Sequence, residues 1–293
     1  WCDLLGLARV SRHDSFFALG GHSLLAVQMI NRVAALGAEL PLAILFARPT
    51  LAGLATAIQD LLGDRTVVRP PITPMARDGA LPLSFAQKRL WFLAQLEGIC
   101  DAYHIPLALR VRGPLDVHAW QQTLDTLWAR HEALRSVFVS TAGQPEVRLL
   151  DPALGLPLHL IEPHDASQLA ALCAAEVRAP FDLAVGPLIR ASLIRLADND
   201  HVFLLTQHHI VSDGWSFGVL LAEFSALYSA YRNRQPNPLP PLAVQYPDYA
   251  CWQRQWLCEE RLQEQANYWR AQLADAPVRL DLPTDRPRPA RQS

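Results

Sequence analysis

A break in periodicity constrains this chain more than any other feature. Up to Gly63 apolar residues recur at helical spacing, and beyond Ser84 helical and extended patterns alternate. Between them, residues 64–82 carry Arg65, Arg69, Pro70, Pro71, Pro74, Arg77, Asp78 and Gly79 with little apolar period. Such a stretch has no face to bury and reads as a linker. Two domains are therefore expected, over residues 1–63 and 83–282, with 283–293 opening a second stretch rich in proline and arginine. At about 100–200 residues per domain, 293 residues suffice for both.

Composition excludes several function classes. Hydrophobic residues make up 51% and charged ones 18%, the balance of a globular protein. The formal net charge is −2 with arginines and acids interspersed, so no basic stripe is available to nucleic acid phosphates. No apolar run approaches the ~20 residues that span a bilayer, and no leader pattern opens the chain, so neither a membrane nor export is expected. The five cysteines are odd in number and lack C-x-x-C spacing, which argues against disulfides and zinc and fits a reducing cytoplasm.

In the first domain, Ala26, Met29, Ile30, Val33 and Leu36 predict a helix beginning near His22 and capped by Gly37. Thr50 is the expected N-cap of another, whose stripe of Leu51, Leu54, Ala55, Ile58 and Leu61 closes at Gly63. A small helical bundle is implied. The second domain opens with a capping box, Ser84 with Gln87, ahead of a helix from Phe85 to Glu97 that Gly98 ends. Next come a strand over 105–111, a helix from Val117 whose period continues to Leu134, and a short strand over 136–139. The unbroken apolar run Val202-Phe203-Leu204-Leu205 suits a buried strand over 201–207, and a long amphipathic helix follows from Ser216 to Tyr231.

Chemistry concentrates at two places. Gly20-Gly21-His22-Ser23 lets the backbone turn tightly and sets Ser23 in the first turn of a helix, where free N–H groups and the helix dipole favour a phosphate. Taken alone, Gly-Gly-x-Ser is more often an ordinary helix start. His208-His209-Ile210-Val211-Ser212-Asp213-Gly214 places two imidazoles at the end of the buried strand. Histidine titrates nearest neutrality and can relay a proton from an attacking amine. A hairpin turn at Ser212-Asp213-Gly214 is excluded by the 3.6-residue period that follows. Metal binding is a poor reading, because adjacent strand residues point to opposite faces and nothing nearby completes a ligand set.

The run from Asp14 to Leu25, D-S-F-F-A-L-G-G-H-S-L-L, closely resembles the peptidyl carrier signature D-x-F-F-x-L-G-G-H/D-S-L. That resemblance implies a four-helix carrier bundle in which a phosphopantetheinyl transferase converts Ser23 to a 4′-phosphopantetheine ester. The thiol of that arm then holds an acyl or peptidyl thioester. His208 to Gly214 resembles the H-H-x-x-x-D-G signature of condensation domains, and three further runs match the family's motifs in order: Ser84–Trp91, Arg130–Phe138 and Tyr246–Gln253.

The implied fold class is an all-α bundle followed by an α/β (α+β) chloramphenicol-acetyltransferase-like lobe, the N-terminal half of a condensation domain in a nonribosomal peptide synthetase. By the same resemblance His209 is catalytic and His208 packs to support the loop. Asp213 is structural and pairs with an arginine, Arg130 as first choice and Arg135 as second. The Gly214 N–H polarises the thioester carbonyl or steadies the tetrahedral intermediate. Implied partners are an upstream adenylation domain, a downstream carrier and the condensation domain's C-terminal lobe. Retention of both histidines and the Ser212-Asp213-Gly214-Trp215-Ser216 context favour peptide-bond formation with an L-configured donor over epimerisation or a catalytically silent recruitment platform.

Overall fold

The computed structural model describes residues 1–34, 38, 40–63, 70–96, 102–163, 166–277, 283, 285 and 286. The chain divides into two compact units, Trp1–Pro71 with Ser212–Leu239 and Ile72–Val211 with Pro240–Ser293.

In the first unit, four helices form an all-α segment: α1 (Cys2–Leu5), α2 (Ser23–Ala34), α3 (Leu42–Ala47) and α4 (Leu51–Gly63). Apolar residues of α2 meet those of α3 and α4 around a core of Phe16, Ala26, Met29, Leu45 and Leu54, each no more than 3% exposed. Thr50 caps α4 as its position predicts, with Oγ1 accepting the Gly53 N–H at 3.2 Å. Helix α2 begins one residue after His22, and the expected cap at Gly37 lies outside the described residues. The long helix α8 (Gly214–Arg232) is placed with this unit, its Phe224 and Tyr228 rings stacked along one face.

The second unit is a mixed α/β lobe. A four-stranded sheet runs in the order β1 (His104–Arg112), β6 (Asp200–His208), β5 (Ile189–Ala197), β4 (Leu158–Ile161); β4 and β5 are parallel and the other pairs antiparallel. Strands β2 (Ser136–Thr141) and β3 (Gln144–Leu149) form a separate hairpin. Helices α5 (Phe85–Leu93), α6 (Val117–Arg130), α7 (Leu169–Arg178), α9 (Tyr246–Trp256) and α10 (Glu259–Gln272) complete it. Central position explains the apolar run of β6, which is bonded on both sides: Leu204 and Val202 pack with Ile194 beside Leu169 and Leu172 of α7.

Three sequence expectations change. Helix α6 stops at Arg130, because His131 adopts extended backbone (φ −104°, ψ 106°); Leu134 keeps the apolar spacing but lies in a turn. Helix α5 ends at Leu93, short of Glu97 and Gly98, which lie outside the described residues. Within the expected linker, Met75 and Leu81 pack on a core with Leu83, Phe138 and Val147, and Leu81 bridges to Val147, so the lobe takes up the chain from Ile72. Residues 64–69 and 278–282 of the expected domain boundaries are outside the described set.

Candidate active site and carrier serine

Ser23 is the first residue of α2 and is exposed. The turn that delivers it needs its glycines. Gly20 adopts φ +93°, and Gly21 donates its N–H to the Phe16 carbonyl at 2.9 Å while lying against the Phe16 ring. Phe16 is fully buried, so the loop before Ser23 is anchored in the core while the hydroxyl faces solvent. Leu24 and Val27 beside it are 43% and 40% exposed.

The two histidines stand in opposite environments. His208 closes β6, pairs with His104 of β1 and is 4% exposed, its ring flanked by Tyr103, His104 and Phe181 at centroid distances of 6.1–6.5 Å. Its Nδ1 accepts the Ile210 N–H at 3.1 Å. Burial, reinforced by the charges of His104 and His209, lowers its pKa to about 4, so the ring is neutral near pH 7 with its proton on Nε2. His209 is exposed, fixed through its backbone N–H to the Tyr103 carbonyl at 2.8 Å. Of the two adjacent histidines, the first is buried and the second exposed.

Asp213 caps α8: Oδ1 accepts from Ser216 N at 2.8 Å and from Ser216 Oγ at 2.6 Å. Gly214 is the first helical residue, and N–H groups in a first turn have no acceptor within their helix. Arg135 is committed to Glu132 Oε1 at 3.4 Å and to the Leu150 carbonyl at 2.9 Å; Arg130 Nη1 donates to the Pro240 carbonyl at 2.6 Å.

Within the second unit, residues of the four condensation-like runs are hydrogen-bonded to one another, the third run through Ile210. Ser84 and Gln87 form the expected capping box on α5. Ser84 Oγ also meets Tyr246 Oη at 3.0 Å, Phe85 N donates to Gln253 Oε1 at 2.9 Å, and Gln87 Nε2 reaches the Ile210 carbonyl at 3.4 Å. Gln245 receives the Glu132 N–H and donates to the Arg130 carbonyl. Sequence reasoning missed the hub of this arrangement. Asp248, 2% exposed, accepts from Arg77 Nη1 at 2.7 Å, Met75 N at 2.9 Å and Gln245 N at 2.7 Å, and Arg77 also pairs with Glu132 at 2.9 Å. An aspartate amid aromatics in Tyr246-Pro247-Asp248-Tyr249 was the available signal.

Among the described residues no cluster of His, Cys, Asp and Glu could hold a metal, and no helix is long and apolar enough to cross a membrane.

Residues 77–293 match the family model described as "Condensation domain", and residues 1–58 match "Phosphopantetheine attachment site". Malpibaldin synthetase of Mortierella alpina is 57% identical over the whole chain, which covers 5% of that protein. The dimodular nonribosomal peptide synthase of Bacillus subtilis is 42% identical, again over the whole chain and 12% of the relative. A solved structure, the complex of the X-domain and OxyB from teicoplanin biosynthesis, aligns with a TM-score of 0.67 at 33% identity, covering 76% of this chain and half of that one. The chain thus spans only a small part of the length of these curated relatives, 5% of the first and 12% of the second. With a phosphopantetheine attachment segment running directly into a condensation lobe, it belongs to the condensation-domain family in the architecture of nonribosomal peptide synthetases.

Proposed function

We propose that the chain serves peptide-bond formation, with Ser23 as the donor attachment point and His209 as the histidine that acts on the incoming amine. The joint exposure of these two residues carries the reading: a phosphopantetheine arm needs an accessible hydroxyl, and catalysis needs an accessible ring. In this mechanism a phosphopantetheinyl transferase esterifies Ser23, and an upstream adenylation domain loads the thiol. The amine of an aminoacyl group on a downstream carrier attacks the thioester carbonyl, the C–N bond forms, and the C–S bond breaks to free the pantetheine thiol. His209 takes up or orients the amine proton. The Gly214 N–H donates to the carbonyl oxygen as it gains negative charge.

Asp213 holds the start of α8 through one oxygen and offers the other to a guanidinium. Arg130 is the first choice for that guanidinium and Arg135 the second. The second lobe of the condensation domain supplies the opposite wall of the site, the donor is L-configured, and the setting is cytoplasmic.

Likeness to the X-domain in its complex with OxyB supports a second reading, a recruitment platform that docks a partner enzyme. Retention of an exposed His209 favours catalysis. Two experiments decide. Incubation with coenzyme A and a phosphopantetheinyl transferase adds one phosphopantetheine by intact mass, lost in Ser23→Ala. Within the complete synthetase His209→Ala abolishes elongation; unchanged elongation leaves only the platform.

A further inference from the structure

The second unit contains a cavity of about 540 Å³, within the range of small-molecule sites, and four aromatic residues line it: Trp91 of α5, Phe138 of β2, Tyr103 and Phe181. Aromatic faces carry the negative side of the ring quadrupole and attract cations. Phe181 already does so, with the Arg190 guanidinium 3.8 Å over its centroid. That cation is committed elsewhere, because Arg190 pairs with Glu176 at 2.9 Å and donates to the carbonyls of Glu176, Ala179 and Pro180. Charge on the wall has a single sign. Among the described residues the one charged side chain lining the cavity is Asp182, while Lys88, one turn before Trp91 on α5, is exposed and does not line it. His208, also on the wall, is neutral near pH 7 because burial lowers its pKa to about 4. Asp182 is held in place through Oδ1, which accepts the Ala184 N–H at 2.8 Å and the Val185 N–H at 3.3 Å, so Oδ2 is left to a ligand. An anion would meet this carboxylate with no cation on the lining to offset it, and a neutral ligand would use neither the carboxylate nor the ring faces. A primary ammonium is strongly hydrated and brings three donors that ring faces cannot satisfy, whereas a quaternary one brings none.

We infer that this cavity is a binding site for a small organic cation of the quaternary ammonium class, its methyl groups packed against Trp91, Tyr103 and Phe138 and its charge facing Asp182. The site is separate from the peptide-forming reading, since His209 does not line the cavity and Ser23 belongs to the other unit. The two meet at one residue. Tyr103 lines the cavity and its carbonyl accepts the His209 N–H at 2.8 Å, so an occupant contacts the residue that holds the His209 main chain.

The test titrates the 293-residue chain with benzyltrimethylammonium and with neopentylbenzene, its uncharged isostere with carbon in place of nitrogen, and follows the ring proton signals of Tyr103 and Phe181. The cation is expected to bind at least about tenfold more tightly than the isostere. Asp182→Asn keeps an oxygen for the Ala184 and Val185 N–H groups but removes the charge, and is expected to weaken the cation about threefold while leaving the isostere unchanged. Ala94→Phe places a ring in the cavity from an exposed position and is expected to weaken both ligands at least about tenfold. Absence of binding, equal affinity for the two ligands, undiminished cation affinity in Asp182→Asn, or full affinity in Ala94→Phe overturns the inference. None of these readouts involves Ser23 or His209, so failure of the peptide-forming reading is detected separately by elongation in the His209→Ala synthetase.

Discussion

Ile210 donates its backbone N–H to Nδ1 of His208 across a single turn, and this one bond separates the two histidines chemically. It fixes the tautomer of the buried ring, while the ring next to it in sequence stays exposed. A free histidine has a pKa near 6.5 and that of His208 lies at about 4, so the unfolded chain binds the proton more readily than the folded one. The stabilisation from keeping this ring neutral is complete above about pH 6.5 and is lost as pH falls from there towards 4, about 3 kcal/mol in all. Urea unfolding of the second unit between pH 7 and pH 4 should show this slope, and His208→Asn should flatten it. An unchanged slope in the variant would assign the acid sensitivity elsewhere.

A second prediction concerns the Asp248 hub. Burial works against ionisation there, but hydrogen bonds from Arg77, Met75 N and Gln245 N outweigh it and hold the carboxyl below the ordinary range. Its contribution is therefore present above about pH 4, the unfolded value, and is lost as pH falls through the lower folded one. Arg77→Ala leaves a buried carboxylate short of a countercharge and should cost about 2–3 kcal/mol, below the usual figure for a fully buried pair because the Arg77 side chain is 27% exposed. Hydrogen exchange at the Met75 amide reports it directly. That amide should lose protection in Arg77→Ala while the β5–β6 amides keep theirs; retained protection would mean the hub does not hold the chain entry.

How much of this was legible depended on sequence distance. Caps at Thr50 and Ser84 were readable because their partners, Gly53 and Gln87, lie three residues away. The buried β6 and the amphipathic α8 were readable from their period. Asp248 and Arg77 stand 171 residues apart, and no local pattern marks an arginine in a proline-rich stretch as half of an ion pair. The same long-range contact explains why composition assigned Met75 to a linker that the lobe takes up. Leu134 misled for the opposite reason: its spacing continued α6, but its burial comes from a turn in which its N–H bonds back to His131. Opposite burial of His208 and His209 was likewise not encoded locally, since the chain leaves β6 between them.

The third prediction is Gly21→Ala. A Cβ at this position enters the Phe16 ring and its carbonyl oxygen, and Phe16 cannot yield because it is fully buried in the carrier core. Overpacking of this kind costs about 1–3 kcal/mol. The rate of phosphopantetheine addition to Ser23 should fall along with the thermal stability of the first unit, whereas Gly214→Ala, with open space around it, should leave that rate unchanged. Wild-type modification kinetics in Gly21→Ala would show that the loop before Ser23 repacks freely.

Asp213 allows its two roles to be separated. As N-cap of the 19-residue α8 it accepts from Ser216 N and Oγ through Oδ1, a task an asparagine oxygen performs equally well. An ion pair with an arginine, as proposed for its other oxygen, requires the charge. Asp213→Ala should therefore lose about 1 kcal/mol of stability and also elongation activity in the complete synthetase. Asp213→Asn should keep the stability to within about 0.5 kcal/mol and still lose elongation, because a neutral amide cannot hold a guanidinium in place near the reacting groups. If the asparagine variant elongates at the wild-type rate, capping alone accounts for this aspartate and the arginine pairing is wrong.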